Sequence, residues 1–400
     1  MQPMRHGHSV MLLEGGQAFF PALIAAIDAS MSEVRLETYI FQFHEAGERV
    51  AMALERAAQR GVRVYLMMDG IGTPTLPAPW AQRLTEAGVM WHRFSPLGAL
   101  GLLAPGTWRR LHRKLCVVDA RIAFCGGINI LDDLQDHVLG RQTWPRFDFA
   151  VQVQGPLVAD VRATMVQFWT RLQATRQFER MQWRGAQQTL RASHDAPPSV
   201  VADAVAATLG IHASLLLRDN VRNRNTIERA YRRAIAGARE EVLIANAYCI
   251  PGGKLRRALV HAARRGVRVR LLLQGQYESF MQFHAARPVL GALLAAGVEI
   301  HEYRDRALHA KVAVVDGHWA TVGSSNLDPL SLLLAREANV VLEDRVFADL
   351  LRTRLNAAIA DHGVALDAAS YAARPLRQRF LDRLAFGIMR ALLFLTGRRY

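Results

Sequence analysis

Apolar positions along the chain switch repeatedly between two periods. Ala18–Ser30 and Gly47–Arg60 carry apolar residues three and four apart, the spacing of a helix with one buried face. Each leads into a short segment rich in β-branched, aromatic and other apolar residues, Val34–Phe41 and Val62–Met68, which predicts a strand. The order then returns: Thr226–Gly237 before Glu241–Tyr248, and Gly253–Arg265 before Val267–Leu273. A short helix ending at Gly88 or Gly297 precedes a further strand in each half. Strands alternating with helices predict α/β units on a largely parallel sheet.

The recurrence extends to residue identity. Ala53-Leu-Glu-Arg-Ala-Ala-Gln-Arg-Gly-Val-Arg-Val64 returns as Ala258-Leu-Val-His-Ala-Ala-Arg-Arg-Gly-Val-Arg-Val269. His112-Arg-Lys-Leu-Cys-Val-Val-Asp119 returns as His309-Ala-Lys-Val-Ala-Val-Val-Asp316. The offset is roughly 200 residues, too long for a solenoid repeat, so it marks a duplicated domain. The expected organisation is a first half over 1–185, a connector over 186–206, a second half over 207–370 and a tail over 371–400. Ser95–Leu111, with Pro105 and Trp108, is an insert without a counterpart in the second half.

In each HxKxxxxD segment the apolar run after the lysine predicts a buried strand closed by a turn at the aspartate. Residues i and i+2 of a strand share a face, so His112 points with Lys114 and His309 with Lys311. Gly126-Gly-Ile-Asn129 and Gly323-Ser-Ser-Asn326 follow, the Asn lying 17 residues after the His in both halves. Small residues there let backbone N–H groups approach an anion, and the Asn amide can donate to a phosphoryl oxygen.

Composition changes this picture in three places. Of 50 basic residues only Lys114, Lys254 and Lys311 are lysines, so two of the three occupy one motif position. That points to a need for a compact ammonium, and a cation beside the histidines argues against a metal there. No cofactor is implied. Cys116, Cys125 and Cys249 lie in apolar runs and read as buried free thiols of a reducing compartment. The net charge of +15 points to a polyanionic partner, a lipid surface or nucleic acid. Neither a signal peptide nor an apolar stretch long enough to span a bilayer is visible, so the expected location is the cytosol or the cytoplasmic face of a membrane.

Two HxKxxxxD motifs, each followed by a small-residue stretch and Asn, resemble the phospholipase D superfamily over about residues 10–360. Leu36-Glu-Thr-Tyr-Ile-Phe41, Met68-Asp-Gly70 and His318-Trp-Ala-Thr-Val-Gly-Ser-Ser-Asn-Leu-Asp-Pro329 are similar to segments of the bacterial cardiolipin synthases, in the short form that lacks transmembrane helices. The resemblance implies two similar α/β halves about a pseudo-two-fold, each a mixed sheet flanked by helices. It implies a catalytic motif set of His112, Lys114, Asp119, His309, Lys311 and Asp316, in which the histidines supply nucleophile and general acid and the aspartates hold the turns. Asn129, Asn326 and Ser324 would bind phosphate, Gly127 replacing the serine in the first half. Glu337 and Asp148, in Arg146-Phe-Asp-Phe149, would orient the histidines. The implied activity is phosphatidyl transfer at a membrane surface, with phosphatidylglycerol or phosphatidylethanolamine as substrates. Rivals are a phospholipase D or a nuclease of the same superfamily and an inactive membrane-binding module.

The tail is basic and apolar, with seven arginines from Arg374 onward against one acid, Asp382. On a helical wheel Phe380, Leu384, Ala385, Ile388, Ala391, Leu392 and Leu395 form one face and Arg379, Arg383 and Arg390 lie opposite. This predicts either an interfacial helix or a last helix packed on the sheet.

Overall fold

The computed structural model describes residues 4–97, 109–136, 140–179, 210–219, 223–276, 280–328 and 335–395. The 186–206 connector and residues 98–108 of the insert lie outside them.

The first half contributes β1 (Arg5–Glu14), α1 (Gly15–Asp28), β2 (Glu33–Thr38), α2 (Ala46–Gln59), β3 (Arg63–Asp69), α3 (Ala78–Glu86), β4 (Met90–Phe94), β5 (Lys114–Val118), β6 (Ile122–Gly126), β7 (Phe149–Gln154) and α4 (Leu157–Glu179). The second repeats the order: β8 (Ile211–Arg218), α5 (Thr226–Gly237), β9 (Glu241–Asn246), α6 (Gly253–Arg264), β10 (Arg268–Gln274), α7 (Phe280–Leu294), β11 (Glu299–Tyr303), β12 (Lys311–Val315), β13 (Trp319–Gly323), β14 (Ala335–Glu343) and α8 (Arg345–His362). A short strand β15 (Gly363–Ala365), α9 (Ala368–Ala372) and α10 (Leu376–Leu395) follow. α7 is longer than its counterpart α3, where the sequence pattern predicts a short helix in both places.

Local chemistry explains the matched ends. α2 buries Val50, Leu54 and Ala57, then stops at Gly61, whose φ of +88° suits a residue without a Cβ. The following Val62 N–H donates back to Ala57 O at 3.1 Å, the return bond of that cap. Gly266 closes α6 in the same way at +89°, with Val267 N–H on Ala262 O.

The strands form one continuous sheet in the order β15-β11-β10-β9-β12-β13-β14-β8-β1-β7-β6-β5-β2-β3-β4. Either side of the β8–β1 junction the order is the same, which is the pseudo-two-fold. The expectation of a largely parallel sheet needs correction. Only β2-β3-β4 and β9-β10-β11 run parallel; every other pairing named in that order is antiparallel. The motif strands cause this, because β5–β6 and β12–β13 are hairpins whose tight turns carry Asp119 and Asp316 at φ 50° and 48°. Apolar runs report burial but carry no strand direction.

Each half covers one face of its sheet with its own helices. Val50, Leu54 and Val64 typify the first of these cores, and Ile227, Leu259 and Val269 the second. The other faces meet in one cluster that α4 and α8 also help to fill: Leu115, Val117 and Val151 share it with Leu243, Val312 and Val340, and with Val161 and Leu351. Each such side chain stabilises by about 1.5–3 kcal/mol on full burial, so the halves are joined by core as much as by strand pairing. Cys116, Cys125 and Cys249 are all buried and free.

Candidate active site

The two motif histidines meet at a cavity of about 500 Å³ between the halves. His112 and Asn129 line it from one side, His309 and Asn326 from the other, with Tyr39, Ile71, Leu131 and Arg146 completing much of the wall. Lys114 and Lys311 are buried behind the histidines, and each ammonium donates to the carbonyl of its own histidine, Lys114 at 2.7 Å. Asn129 accepts the Ile40 N–H at 3.2 Å through Oδ1, which frees its NH₂ for a ligand.

The orienting acids cross the pseudo-two-fold. His112 Nδ1 lies 3.0 Å from the carboxylate of Glu337, and His309 Nδ1 lies 2.6 Å from Asp148 Oδ2. Each histidine is therefore held by the other half. Backbone pairing dictates the exchange. Phe147 accepts the N–H groups of His309 and Ala310 at 2.9 and 3.0 Å, and Arg336 accepts that of His112 at 3.1 Å. The next residue on each strand, Asp148 or Glu337, then faces the imported histidine. A carboxylate only accepts, so each Nδ1 carries the proton and Nε2 is left for chemistry.

Burial pushes His112 below its ordinary pKa, against the pull of Glu337; burial together with Lys311 and Arg146 pushes His309 well below. Burial alone would raise Glu337, but His112, Lys114 and Ser324 hold it below the usual carboxylate value. Burial lifts Asp148 to about 6 and drops Lys114 to about 7.

Asp119 and Asp316, expected in the motif set to hold the turns, sit at the far ends of the motif strands. Asp119 accepts the N–H groups of Met31, Ser32 and Glu33 at 2.8, 2.8 and 2.9 Å. Asp316 accepts those of Arg239, Glu240 and Glu241, each at 2.9 Å. They pin the turns to the start of the neighbouring strands. Ser324, expected on the phosphate, gives its hydroxyl to Glu337 at 2.5 Å instead. Its counterpart Gly127 leaves space that Asp148 needs, since a Cβ there would lie 2.2 Å from Asp148 Oδ1.

Sequence reasoning missed two residues. Asp69 is fully buried and accepts Leu111 N–H at 2.7 Å and Arg110 at 3.0 Å, fixing the approach to His112. Arg146 reaches the cavity from one half only, because Ala335 occupies its place in the other. The signal for Arg146 was its position two residues before Asp148; for Asp69 only the Met68-Asp-Gly70 segment hinted at a role. Among the described residues no cluster of three or more His, Cys, Asp or Glu could hold a metal ion.

A duplicated α/β fold that brings two histidine–lysine pairs to one cavity defines a class, the phospholipase D-like proteins. The model of the family described as "Cardiolipin synthase, PLD-like domain" matches residues 23–134 and 231–359. Cardiolipin synthase B of Escherichia coli (strain K12) is 38% identical over 393 residues, covering 98% of this chain and 90% of that one. The cardiolipin synthase of Geobacillus kaustophilus (strain HTA426) is 28% identical over 387 residues, 96% of this chain and 72% of that one. The crystal structure of phosphatidylserine synthase from Haemophilus influenzae Rd KW20 shares the fold, with a TM-score of 0.67 at 14% identity over 98% of this chain and 96% of that one. The chain belongs to the cardiolipin synthase family of PLD-like domain proteins. No helix among the described residues is long and apolar enough to cross a membrane.

Proposed function

We infer that the protein is a cardiolipin synthase that moves a phosphatidyl group from one phospholipid to the free alcohol of phosphatidylglycerol. The observation that carries this is the pair of imidazoles on opposite walls of one cavity, each locked through Nδ1 by an acid of the other half. Nε2 of one histidine attacks phosphorus, and the P–O bond to the leaving alcohol breaks as the other imidazolium gives that oxygen its proton. The acceptor alcohol then loses its proton to the same imidazole, its oxygen attacks phosphorus, and the N–P bond breaks. One diester is consumed and one formed, so no outside energy source is needed. Asn129 and Asn326 on the cavity walls, with Lys114 and Lys311 behind the histidines, would hold charge on the non-bridging oxygens. The apolar wall residues Ile40, Ile71 and Leu131 suit a glyceride better than a nucleotide. The proposed setting is peripheral, on the cytoplasmic face of a membrane.

Purified protein with phosphatidylglycerol vesicles should yield cardiolipin and one glycerol per turnover, read by mass spectrometry. Added phosphatidylethanolamine tests the alternative donor. Cleavage of nucleic acid with no lipid product would overturn the reading.

A further inference from the structure

The tail helix satisfies neither of its two sequence-level alternatives alone. α10 packs on α7, yet the side it turns inward is not its apolar stripe. Asp382 is buried, 2.7 Å from His284 Nδ1 and 2.7 Å from Arg374 Nη1. Ala385 is buried beside it, and Phe386 packs against the second-half core. Phe380, Leu384 and Ile388 follow one another four residues apart on the opposite side and remain 66%, 49% and 44% exposed. Leu376 and Leu381 extend that stripe and are exposed as well.

Charge is sorted in the same way. The one acid of the tail is turned inward and ion-paired, while Arg377, Arg379 and Arg383 are exposed. Between α7 and α10 lies a further cavity of about 280 Å³, bordered by Arg379 and Arg383, by Arg374 with its partner Asp382, and by Arg287, which pairs with Glu302. An exposed apolar stripe flanked by cations, with the only carboxylate hidden, matches an anionic lipid interface in both hydrophobicity and charge. The exposed guanidinium groups of Arg379 and Arg383 at its edge suit phosphodiester headgroups.

We propose that α10 is a membrane-docking helix that lays Phe380, Leu384 and Ile388 into the interface of an anionic bilayer, with Arg379 and Arg383 beside the α7–α10 cavity holding phospholipid headgroups. The inward pairing of Asp382 with His284 and Arg374 sets the rotation of the helix, so the stripe faces out before the membrane is met. The proposal rests on a lipid substrate only for its purpose, and binding can be measured apart from turnover.

The test is co-sedimentation of the full chain with vesicles of phosphatidylglycerol and phosphatidylcholine, beside pure phosphatidylcholine. Wild type should prefer the anionic vesicles and lose that preference as salt rises. Arg379→Gln with Arg383→Gln should weaken the partition roughly 30-fold at low salt, at about 1 kcal/mol per cation. Phe380→Ser with Leu384→Ser should weaken it by roughly 100-fold. Because all four residues are exposed, melting curves should not move, and turnover of dispersed short-chain phosphatidylglycerol should be kept. Failure of that soluble assay in wild type would count against the lipid reaction and leave the docking result standing. Unchanged vesicle binding in both variants would overturn the proposal, as would equal binding to uncharged vesicles. So would loss of a concentration-dependent dimer in the variants, which would make a second copy the occupant.

Discussion

The two halves of the cavity share one backbone plan and differ in what stands behind each histidine. On one side Ser324 donates to Glu337, which holds His112; on the other Gly127 makes room for Asp148, which holds His309. Strand order, hairpin turn and histidine–lysine spacing are the same in both. The chemistry behind each imidazole has diverged, and Arg146 reaches the cavity where the other half has Ala335. Glu337 is kept ionised by three neighbours, whereas burial holds Asp148 near 6. Duplication thus supplies a geometry for two equal groups, and the acids make them unequal. A transfer reaction uses one imidazole neutral and the other protonated, and unlike acids give the two different tendencies to hold a proton.

Removing the histidines gives the largest effect. His112→Ala and His309→Ala should each lower turnover by about 10⁴-fold or more while the melting temperature stays close to wild type. Only one of them should lose the ability to trap a phosphorylated histidine, and acid-quenched labelling will show which half supplies the nucleophile. Excess EDTA should leave wild type active; rescue by a divalent metal after chelation would break the metal-free scheme.

Neutralising the acids comes next and tests the crossing directly. Glu337→Gln and Asp148→Asn should each cost about 10²–10³-fold in kcat, because the imidazole loses its fixed tautomer and orientation. Their pH profiles should differ. Asp148 takes up a proton as pH falls through about 6, so wild-type activity should decline there. Glu337→Gln should keep that acid limb and Asp148→Asn should lose it. Identical profiles would mean that the two acids are interchangeable after all.

Exchanging the small residues behind the acids is gentler on one side only. Ser324→Gly removes one hydrogen bond to a buried carboxylate and should cost about tenfold in kcat. Gly127→Ser should do nearly as much harm as Asp148→Asn, since its Cβ would press on the Asp148 carboxylate. Steady-state kinetics of the two variants side by side would show whether Ser324 and Gly127 are matched to different acids.

Much of this was legible in the sequence because duplication doubled every signal. One histidine and one lysine on a strand mean little; the same pair twice, each with its Asn 17 residues on, located the cavity walls. Thr226–Gly237 was read to the residue, and α2 and α6 to within one or two. The crossing was not legible, because Asp148 lies in the same repeat as His112 and nothing in spacing tells an acid which histidine it will face. Strand direction was lost for a related reason, since a hairpin and a crossover bury the same apolar run. The helical wheel found the stripe of Phe380, Leu384 and Ile388 but put Ala385 with it, and the structure turns Ala385 inward beside Asp382. Small residues and a paired acid can be buried where larger apolar ones stay out, and a wheel weighs neither size nor pairing.

The smallest effect concerns one of the twin lysines. Lys114 has its pKa lowered from an ordinary 10.5 to about 7, chiefly by burial, with Lys311 adding repulsion and Glu337 opposing. Between those two values the unfolded chain holds the Lys114 proton and the folded chain does not. The unfolded state therefore binds more protons, and stability attributable to this group rises as pH increases from about 7 toward 10.5. Lys114→Met deletes that contribution, so the difference in melting temperature between wild type and variant should shift in favour of wild type across this window. A bound phosphodiester reverses the balance, because its negative charge favours the ammonium and draws the pKa back up. KM for phosphatidylglycerol should accordingly climb as pH rises above 7, when binding must take up a proton that the free enzyme has lost. A flat KM across that range, with wild type and variant melting in parallel, would show that Lys114 stays charged in the empty site and that burial there is less complete than its position behind His112 suggests.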